Sequence, residues 1–409
     1  MNKFKTVLAT TYAVNPFKGS EDGMGWNFVY QIARFNKVIA VTRQNNRPHI
    51  EKFMEENPDG VYKNMRFVYF DLPYWMRFWK KKGRGAMLYF WMWQRSIPHF
   101  ISSLNITFDI AHNLNFHNDW TPSYLWKLGK PFVWGPIGHH PRIPAQYLVP
   151  YNKSYRIKDR FMWVIKKFFW KYSSALKKTA KYADHVLCMN KSVVGVLPDV
   201  EKKYTIMPSV ATEDLGYKPD KISTKFTIVS AGRLVPLKGF DLTISAFAEF
   251  LSKLSPNKRA NCELLVIGKG PEKAYYQELA TRKGVDQQVR FINWIDRNDL
   301  MELLKDSSVF LFPSHEGAGM IVAEALSFGV PVICLDNCGP GEFIDHNCGI
   351  RITEQDYNGT VEALSDGILE LYKNPQKLKR MSSGARHRFK NHFDWSNRGE
   401  TLNAIYQNL

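Results

Sequence analysis

The chain has 409 residues, more than one hydrophobic core usually serves, so two domains are the first expectation. Its 44% hydrophobic and 23% charged content excludes a disordered, collagen-like or disulfide-scaffold chain. Fifty-six basic against 38 acidic residues leave a formal charge of +18, which points to a polyanionic partner: nucleic acid, anionic lipid or a phosphorylated substrate.

In chain order, apolar runs of strand length fall at Thr6–Ala13, Lys37–Thr42, Met65–Phe70, Phe108–Ala111, Phe132–Trp134, His185–Met189 and Thr205–Met207. The second half adds Phe226–Ala231, Glu263–Ile267, Val289–Ile292, Val309–Phe312 and Val330–Leu335. Most lack polar alternation, as strands buried on both faces of a parallel sheet do. Helical patterns such as Phe240–Lys253 and Ile321–Ser327 lie between them, so the expected class is doubly wound α/β. The pattern pauses at 208–224, which holds two prolines and a glycine and reads as a linker between domains 1–207 and 225–390. The longest apolar runs, Met87 to Trp93 and Phe161 to Ile165, fall short of the ~18 residues a membrane span needs. The N-terminal stretch reads as a first strand rather than a signal peptide. Five scattered cysteines predict free thiols in a reducing, cytoplasmic compartment, and their spacing completes no zinc site.

Three strand ends in the second half carry the chemical signal. After Ala231 come Gly232, Arg233 and Lys238, two cations placed between a strand and a helix, where they can converge on a diphosphate. The second segment, Val266 to Lys273, contains a glycine turn at Gly268 that lets backbone approach a ligand. In the third, Phe312 to Asp336, the small loop Glu316-Gly317-Ala318-Gly319 leads into a helix through Met320 and Ile321. Backbone N–H groups exposed there suit an anion. Glu324, about one turn into that helix, can accept hydrogen bonds from a diol, and Glu316 can do the same for a sugar ring.

Glu316 and Glu324 inside EGAGMIVAEAL, with the Gly-Arg-Leu…Lys-Gly segment and the flanking GVPVICLDNCGPGEFI, resemble retaining glycosyltransferase family 4 of the GT-B fold. The resemblance implies two Rossmann-like domains facing across a cleft, with a last helix, 391–409, crossing back to the first. It implies that Arg233 and Lys238 hold the donor diphosphate, Glu324 the ribose and Glu316 the donor sugar. Backbone from Gly317 through Ala318, Gly319, Met320 and Ile321 would contact sugar and phosphate. Gly268 and the strand end at Ile292 would flank the base. Ala318 stands where the family often has a bulky aromatic, which changes the pocket's shape. No Asp-x-Asp occurs, so a metal-independent reaction is expected, with a UDP-sugar ahead of a GDP-sugar as donor. The expected acceptor is lipid-linked or a polysaccharide of the cell surface, lipopolysaccharide included.

In the first half, the same resemblance points Gly23 and Gly25, in a glycine-rich loop from Asn15 to Asn27, toward the donor phosphates. His112, Asn115 and His117 follow a strand where the family places a cleft histidine. Leu114 replaces the usual second one, so His117 is the catalytic candidate and His112 reads as a buried structural residue. His139 and His140 stand where related loops carry glycine. Between Tyr151 and Tyr182 there are ten Lys/Arg and one acidic residue, Asp159. A helical wheel puts Phe161, Ile165, Phe168, Tyr172 and Leu176 on a core stripe, and Trp163 and Trp170 on an exposed basic side suited to an anionic membrane surface. A second basic cluster spans Arg77 to Arg84. Three other readings compete. A sugar-nucleotide epimerase would not show this spacing of the two glutamates. A nucleic-acid-binding protein would show a binding module. A non-catalytic nucleotide-sugar-binding protein would release no sugar from a donor.

Overall fold

The structure is a computed structural model that describes residues 4–80, 85–116, 118–201, 203–217 and 225–409. The chain divides into two compact units. The first comprises Met1–His139, Phe161–Val210 and Trp395–Leu409, and the second His140–Arg160 and Ala211–Asp394.

The first unit is built on a seven-stranded sheet in the order β3-β2-β1-β4-β5-β6-β7. Its strands are β1 (Thr6–Thr10), β2 (Lys37–Thr42), β3 (Met65–Tyr69), β4 (Ile110–Asn113), β5 (Phe132–Ile137), β6 (His185–Cys188) and β7 (Tyr204–Ile206). The second unit has six strands in the order β10-β9-β8-β11-β12-β13. These are β8 (Phe226–Ala231), β9 (Cys262–Ile267), β10 (Val289–Ile292), β11 (Val309–Phe312), β12 (Val332–Leu335) and β13 (Gly349–Ile352). Every pairing in both sheets is parallel, as uniformly apolar strands require when helices cover both faces. In each sheet the order reverses beside the first strand, between β1 and β4 and between β8 and β11. Loops leaving the carboxyl ends at such a point frame a ligand crevice.

Several strand limits move, with β4 shifted to Ile110–Asn113, β5 extended to Ile137 and β12 starting at Val332, and one strand was not expected. β1 stops at Thr10 instead of Ala13: the Thr11 N–H to the Val41 carbonyl and the Leu114 N–H to the Thr10 carbonyl are its last ladder bonds. β13 has no counterpart among the expected strands; it is four residues, Gly-Ile-Arg-Ile, with Arg351 exposed. So short an edge strand carries no apolar run to recognise.

The segment 140–160 departs from the expected division at 207. Ile143, Tyr147, Leu148 and Tyr151 are buried in the second unit's core, beside Phe240, Tyr276 and Leu364. The Tyr151 hydroxyl donates to Asp241 Oδ1 at 2.6 Å and lies 3.1 Å from the Tyr276 hydroxyl. Burial raises the Asp241 pKa, and the Tyr151 hydrogen bond works against that rise. The expected linker ends in 218–224, which lie outside the described residues; Thr212, before them, bridges to Asp394 within the second unit. The last helix, Trp395–Gln407, belongs to the first unit, where Trp395 packs edge-on against Phe28 at 5.2 Å.

Two readings of first-half segments are corrected. Gly23 and Gly25 are not in a flexible loop but buried in the helix Ser20–Ala33. A Cβ at Gly25 would stand 2.0 Å from the Ala13 carbonyl oxygen, and one at Gly23 would stand 2.1 Å from that of Lys18. These glycines let the preceding loop pack flat on the helix. The helix Lys153–Tyr172 is turned the other way round from the wheel reading: Phe161, Phe168 and Tyr172 are exposed, whereas Trp163 and Trp170 are half-buried. Only Leu176, in the following helix Ser174–Tyr182, is core as expected. Of the second basic cluster, 81–84 lie outside the described residues. All five cysteines are free thiols.

Tyr151→Phe removes the hydroxyl donor to a fully buried carboxyl group. Urea denaturation of this variant is expected to show a loss of about 1–3 kcal/mol. A loss below the error of the extrapolation would mean that the 140–160 segment is held by apolar burial alone.

Candidate functional site

β8 ends at Ala231, and the chain runs through Gly232 and Arg233 into a tight turn, Pro236–Lys238. Gly239 closes that turn with φ of 68°, and a Cβ there would lie 2.1 Å from the Pro313 carbonyl oxygen. Only glycine permits both the left-handed backbone and so close an approach. The turn is thereby laid against the loop after β11, where the Leu237 carbonyl accepts from His315 N–H at 2.9 Å and from Ser314 Oγ at 3.2 Å.

This docking delivers Lys238 Nζ to 2.6 Å from Glu316 Oε2 and 5.0 Å over the Phe312 ring. Burial pushes the Glu316 carboxyl above its ordinary pKa; Lys238 and then Arg233 oppose that rise. The other oxygen, Oε1, is buried and has no hydrogen-bond partner among the described residues. Arg233 is exposed and acts on Glu316 through space. Two cations and a carboxylate with one uncommitted oxygen thus stand together at the sheet's reversal point.

The next residue, Gly317, donates its N–H to His140 Nδ1 at 2.9 Å. That histidine comes from the 140–160 segment and must be neutral at Nδ1 to accept. Ala318 is half-buried, Gly319 precedes the helix Met320–Ser327, and Met320 and Ile321 form its first turn. Glu324, the fifth residue of that helix, is 4% exposed and forms an ion pair with Arg297 at the start of the helix Arg297–Lys305. Burial raises the Glu324 pKa and Arg297 draws it back. Gly268, at φ of 144°, follows β9; a Cβ there would lie 1.9 Å from the Gly232 carbonyl oxygen. Its N–H donates to the Ile292 carbonyl at 2.9 Å, which ties the ends of β9 and β10 together beside β8. Trp294, beyond Ile292, is 63% exposed with Lys269 Nζ 5.4 Å from its ring.

In the first unit, His117 lies outside the described residues. His112 is fully buried between the Tyr406 hydroxyl and the Gly135 carbonyl, and burial pushes its pKa down to about 3. Asn115 is committed to the loop after β1 and the first turn of the helix that follows, donating to the carbonyls of Ala13 at 2.6 Å and Glu21 at 3.0 Å. His139 is held by Asp119 at 2.7 Å. Three roles escaped the sequence reading. Glu21 accepts from the Phe116 N–H at 3.1 Å, and burial raises its pKa to about 7. Arg297 was hidden as one cation among many. His140 stands out in the sequence only by replacing a glycine of related loops, and no local pattern announces a contact 177 positions away.

Residues 213–388 match the family described as glycosyl transferases group 1. This region is a group 1 glycosyltransferase domain. The chain is 29% identical over 188 residues to a GDP-mannose-dependent monoacylated alpha-(1-6)-phosphatidylinositol monomannoside mannosyltransferase of Corynebacterium glutamicum, covering 44% of this chain and 46% of that one. It is 31% identical over 162 residues to the lipopolysaccharide glucosyltransferase WaaG of Escherichia coli, covering 39% of this chain and 41% of that one. The chain thus spans about half the length of the curated relatives it matches, or somewhat less. Among solved structures, HepE of Anabaena in complex with UDP superposes with a TM-score of 0.65 at 14% identity, over 99% of this chain and 100% of that one. The crystal structure of WaaG gives 0.61 at 17% identity, over 98% and 99%. The fold is therefore GT-B, and the group 1 domain contains Arg233, Lys238, Gly268, Ile292, Arg297, Glu316 and Glu324.

Removing the cation beside a buried carboxylate disfavours its charged form. Arg297→Gln is expected to make Glu324 take up its proton at higher pH than in the parent chain. Carboxyl-carbon NMR of labelled glutamate reads this directly; an unchanged titration would show that the ion pair contributes nothing to the ionisation of Glu324.

Proposed function

We propose that the chain is a retaining glycosyltransferase of family 4, which moves a sugar from a nucleotide diphosphate to a hydroxyl of a lipid-linked or polysaccharide acceptor. The observation that carries this reading is the cluster of Arg233, Lys238 and Glu316 at the reversal point of the second sheet, inside the group 1 domain. Arg233 and Lys238 would take the donor diphosphate, whose negative charge grows as the bond to the anomeric carbon breaks. Fixed cations in a site shielded from water stabilise that charge with no reorganisation. Lys238 has three N–H donors, so it can keep Glu316 and still reach a phosphate oxygen. The unpartnered Oε1 of Glu316 would accept from a hydroxyl of the donor sugar, and Glu324 from the ribose diol. Gly317 to Ile321 would supply backbone N–H groups, and Gly268 and Ile292 would flank the base.

The donor is taken as a UDP-sugar ahead of a GDP-sugar. HepE was solved with UDP, whereas the Corynebacterium relative is named GDP-mannose-dependent. The glycolipid and lipopolysaccharide acceptors in the relatives' names support an acceptor of that class, met on the inner face of the plasma membrane. Among the described residues, no helix is long and apolar enough to cross a membrane.

Arg233→Ala and Lys238→Ala are each expected to lower turnover roughly 100-fold or more, corresponding to about 3–4 kcal/mol of barrier. Sugar release from a labelled donor measures this, with melting curves to check that each variant is folded. Near-normal turnover by both variants would overturn the assignment. A melting-temperature screen over UDP-, GDP- and ADP-sugars is expected to give its largest rise with a UDP-sugar, since a ligand stabilises the state it binds.

A further inference from the structure

The helix Pro375–His392 of the second unit carries Lys377, Lys379, Arg380, Arg386, Arg388 and Lys390 and no acidic residue. Lys377, Arg380, Gly384, His387 and Asn391 recur every three or four positions, so they share one face. That face meets the loop 345–348, which leads into β13. A Cβ at Gly384 would stand 2.0 Å from the Asn347 carbonyl oxygen, so the helix admits the loop's backbone at this glycine. Helix and loop line a cleft of about 670 Å³, to which His346, Arg388 and His392 also contribute.

The cleft is separate from the Lys238–Glu316 cluster. The loop 345–348 enters β13 at its amino end, whereas Lys238 and Glu316 follow the carboxyl ends of β8 and β11, and these strands run parallel. The length of the sheet lies between the two. Several groups in the cleft are already fixed. Arg388 donates from Nε to the Phe343 carbonyl at 2.9 Å, and its Nη1 is 3.8 Å from Asp345 Oδ2. Asp345 is the one acidic residue lining the cleft among the described residues, and its Oδ1 accepts from the Asn347 N–H at 2.9 Å. Lys377 pairs with Glu370 of the preceding helix, Tyr357–Lys373. His346, Arg380 and His387 are exposed, and His387 Nε2 lies 3.1 Å from the Asn391 amide nitrogen. Arg380 has no ion pair among the described residues.

We propose that this cleft binds a small molecule carrying two phosphate groups. Charge selects the class: Lys377, Arg380, Arg388 and three histidines face a single carboxylate, which its own loop and Arg388 already hold. Arg can fork two oxygens of one phosphate, while Lys and imidazole add single N–H donors. Spacing selects two groups. Lys377 and Arg380 stand at one end of the cleft, and His387 and Arg388 two helical turns further on, roughly 10 Å along the axis. One phosphate does not span that distance. Size selects a small molecule, since the volume is that of a metabolite pocket and the loop 345–348 walls one side. A nucleic-acid strand needs a groove it can track along. Cations held in advance cost little to order on binding.

The test follows the imidazole signals of labelled histidine by NMR as fructose 1,6-bisphosphate is added to the full chain without nucleotide sugar. His346 and His387 should shift along one saturable curve, at least about tenfold tighter than with inorganic phosphate. Arg380→Glu should weaken that curve about tenfold or more, and His387→Gln, read at His346, should weaken it severalfold. Both side chains are exposed, so melting temperature and its rise with a nucleotide sugar should be unchanged. An unmoved His346, or an unchanged curve in both variants, overturns the proposal. So does a response confined to His140, which would put the phosphates at the Glu316 loop. An oligonucleotide that shifts His346 and His387 when the bisphosphate does not would assign the cleft to nucleic acid and overturn it too. If the bisphosphate fails while a nucleotide sugar still raises the melting temperature, this cleft fails and the transferase reading stands.

Discussion

The carboxylate of Glu316, taken out of water, has to keep a cation beside it. An unpaired buried charge costs several kcal/mol, so its position and that of Lys238 constrain each other. The pair joins the loop after β8 to the loop after β11, and their backbone contact through the Leu237 carbonyl holds the same junction. The low-dielectric surroundings that make the pair obligatory also make it strong. A site built this way is assembled before any ligand arrives, and its two cations outnumber its one carboxylate. A diphosphate brought beside Lys238 would find that cation already placed by Glu316, with the exposed Arg233 close by.

The glycines explain how such a pair can form at the carboxyl ends of the two central strands. β8 and β11 are neighbours in the sheet, but the loops leaving them meet only if backbone passes very close to backbone. Gly239 against Pro313 is that crossing, and Gly268 against Gly232 makes the corresponding one between the loops after β9 and β8. A side chain at either would push apart the elements that carry the charged groups. The 140–160 segment adds a third support, since His140 meets Gly317 from a stretch otherwise buried in the same core. The part of the helix Lys153–Tyr172 that belongs to the first unit, from Phe161 onward, follows the same principle. Its tryptophans, which have N–H groups as well as large apolar rings, go inward to a carbonyl and a histidine ring, and the plain apolar side chains are left outside.

Most of the sheet was legible because buried parallel strands write themselves as apolar runs; β2, β8, β10 and β11 fall where those runs begin and end. The chemistry of the second unit was legible for a related reason. Arg233, Lys238, Glu316 and Glu324 sit at strand ends or one turn beyond, at short and recognisable spacings. Gly23 and Gly25 were misread because a glycine in a tightly packed helix and one in a loose loop look alike without the surface that presses on it. Phe161 and Phe168 were misread because periodicity defines a face of a helix and not the direction in which that face points.

The amino-acid order alone determined two parallel α/β sheets and a cluster of charged residues at the strand ends of the second. Those features depend on local pattern: which residues are apolar, how they alternate, and what stands in the next few positions. The tertiary structure decided that Lys238 would face Glu316, that Arg297 would face Glu324, that residues 140–160 would complete the second core, and which side of the lysine-rich helix would meet solvent. Each of these depends on a partner distant in sequence, and burial energy selects that partner only once the chain is packed.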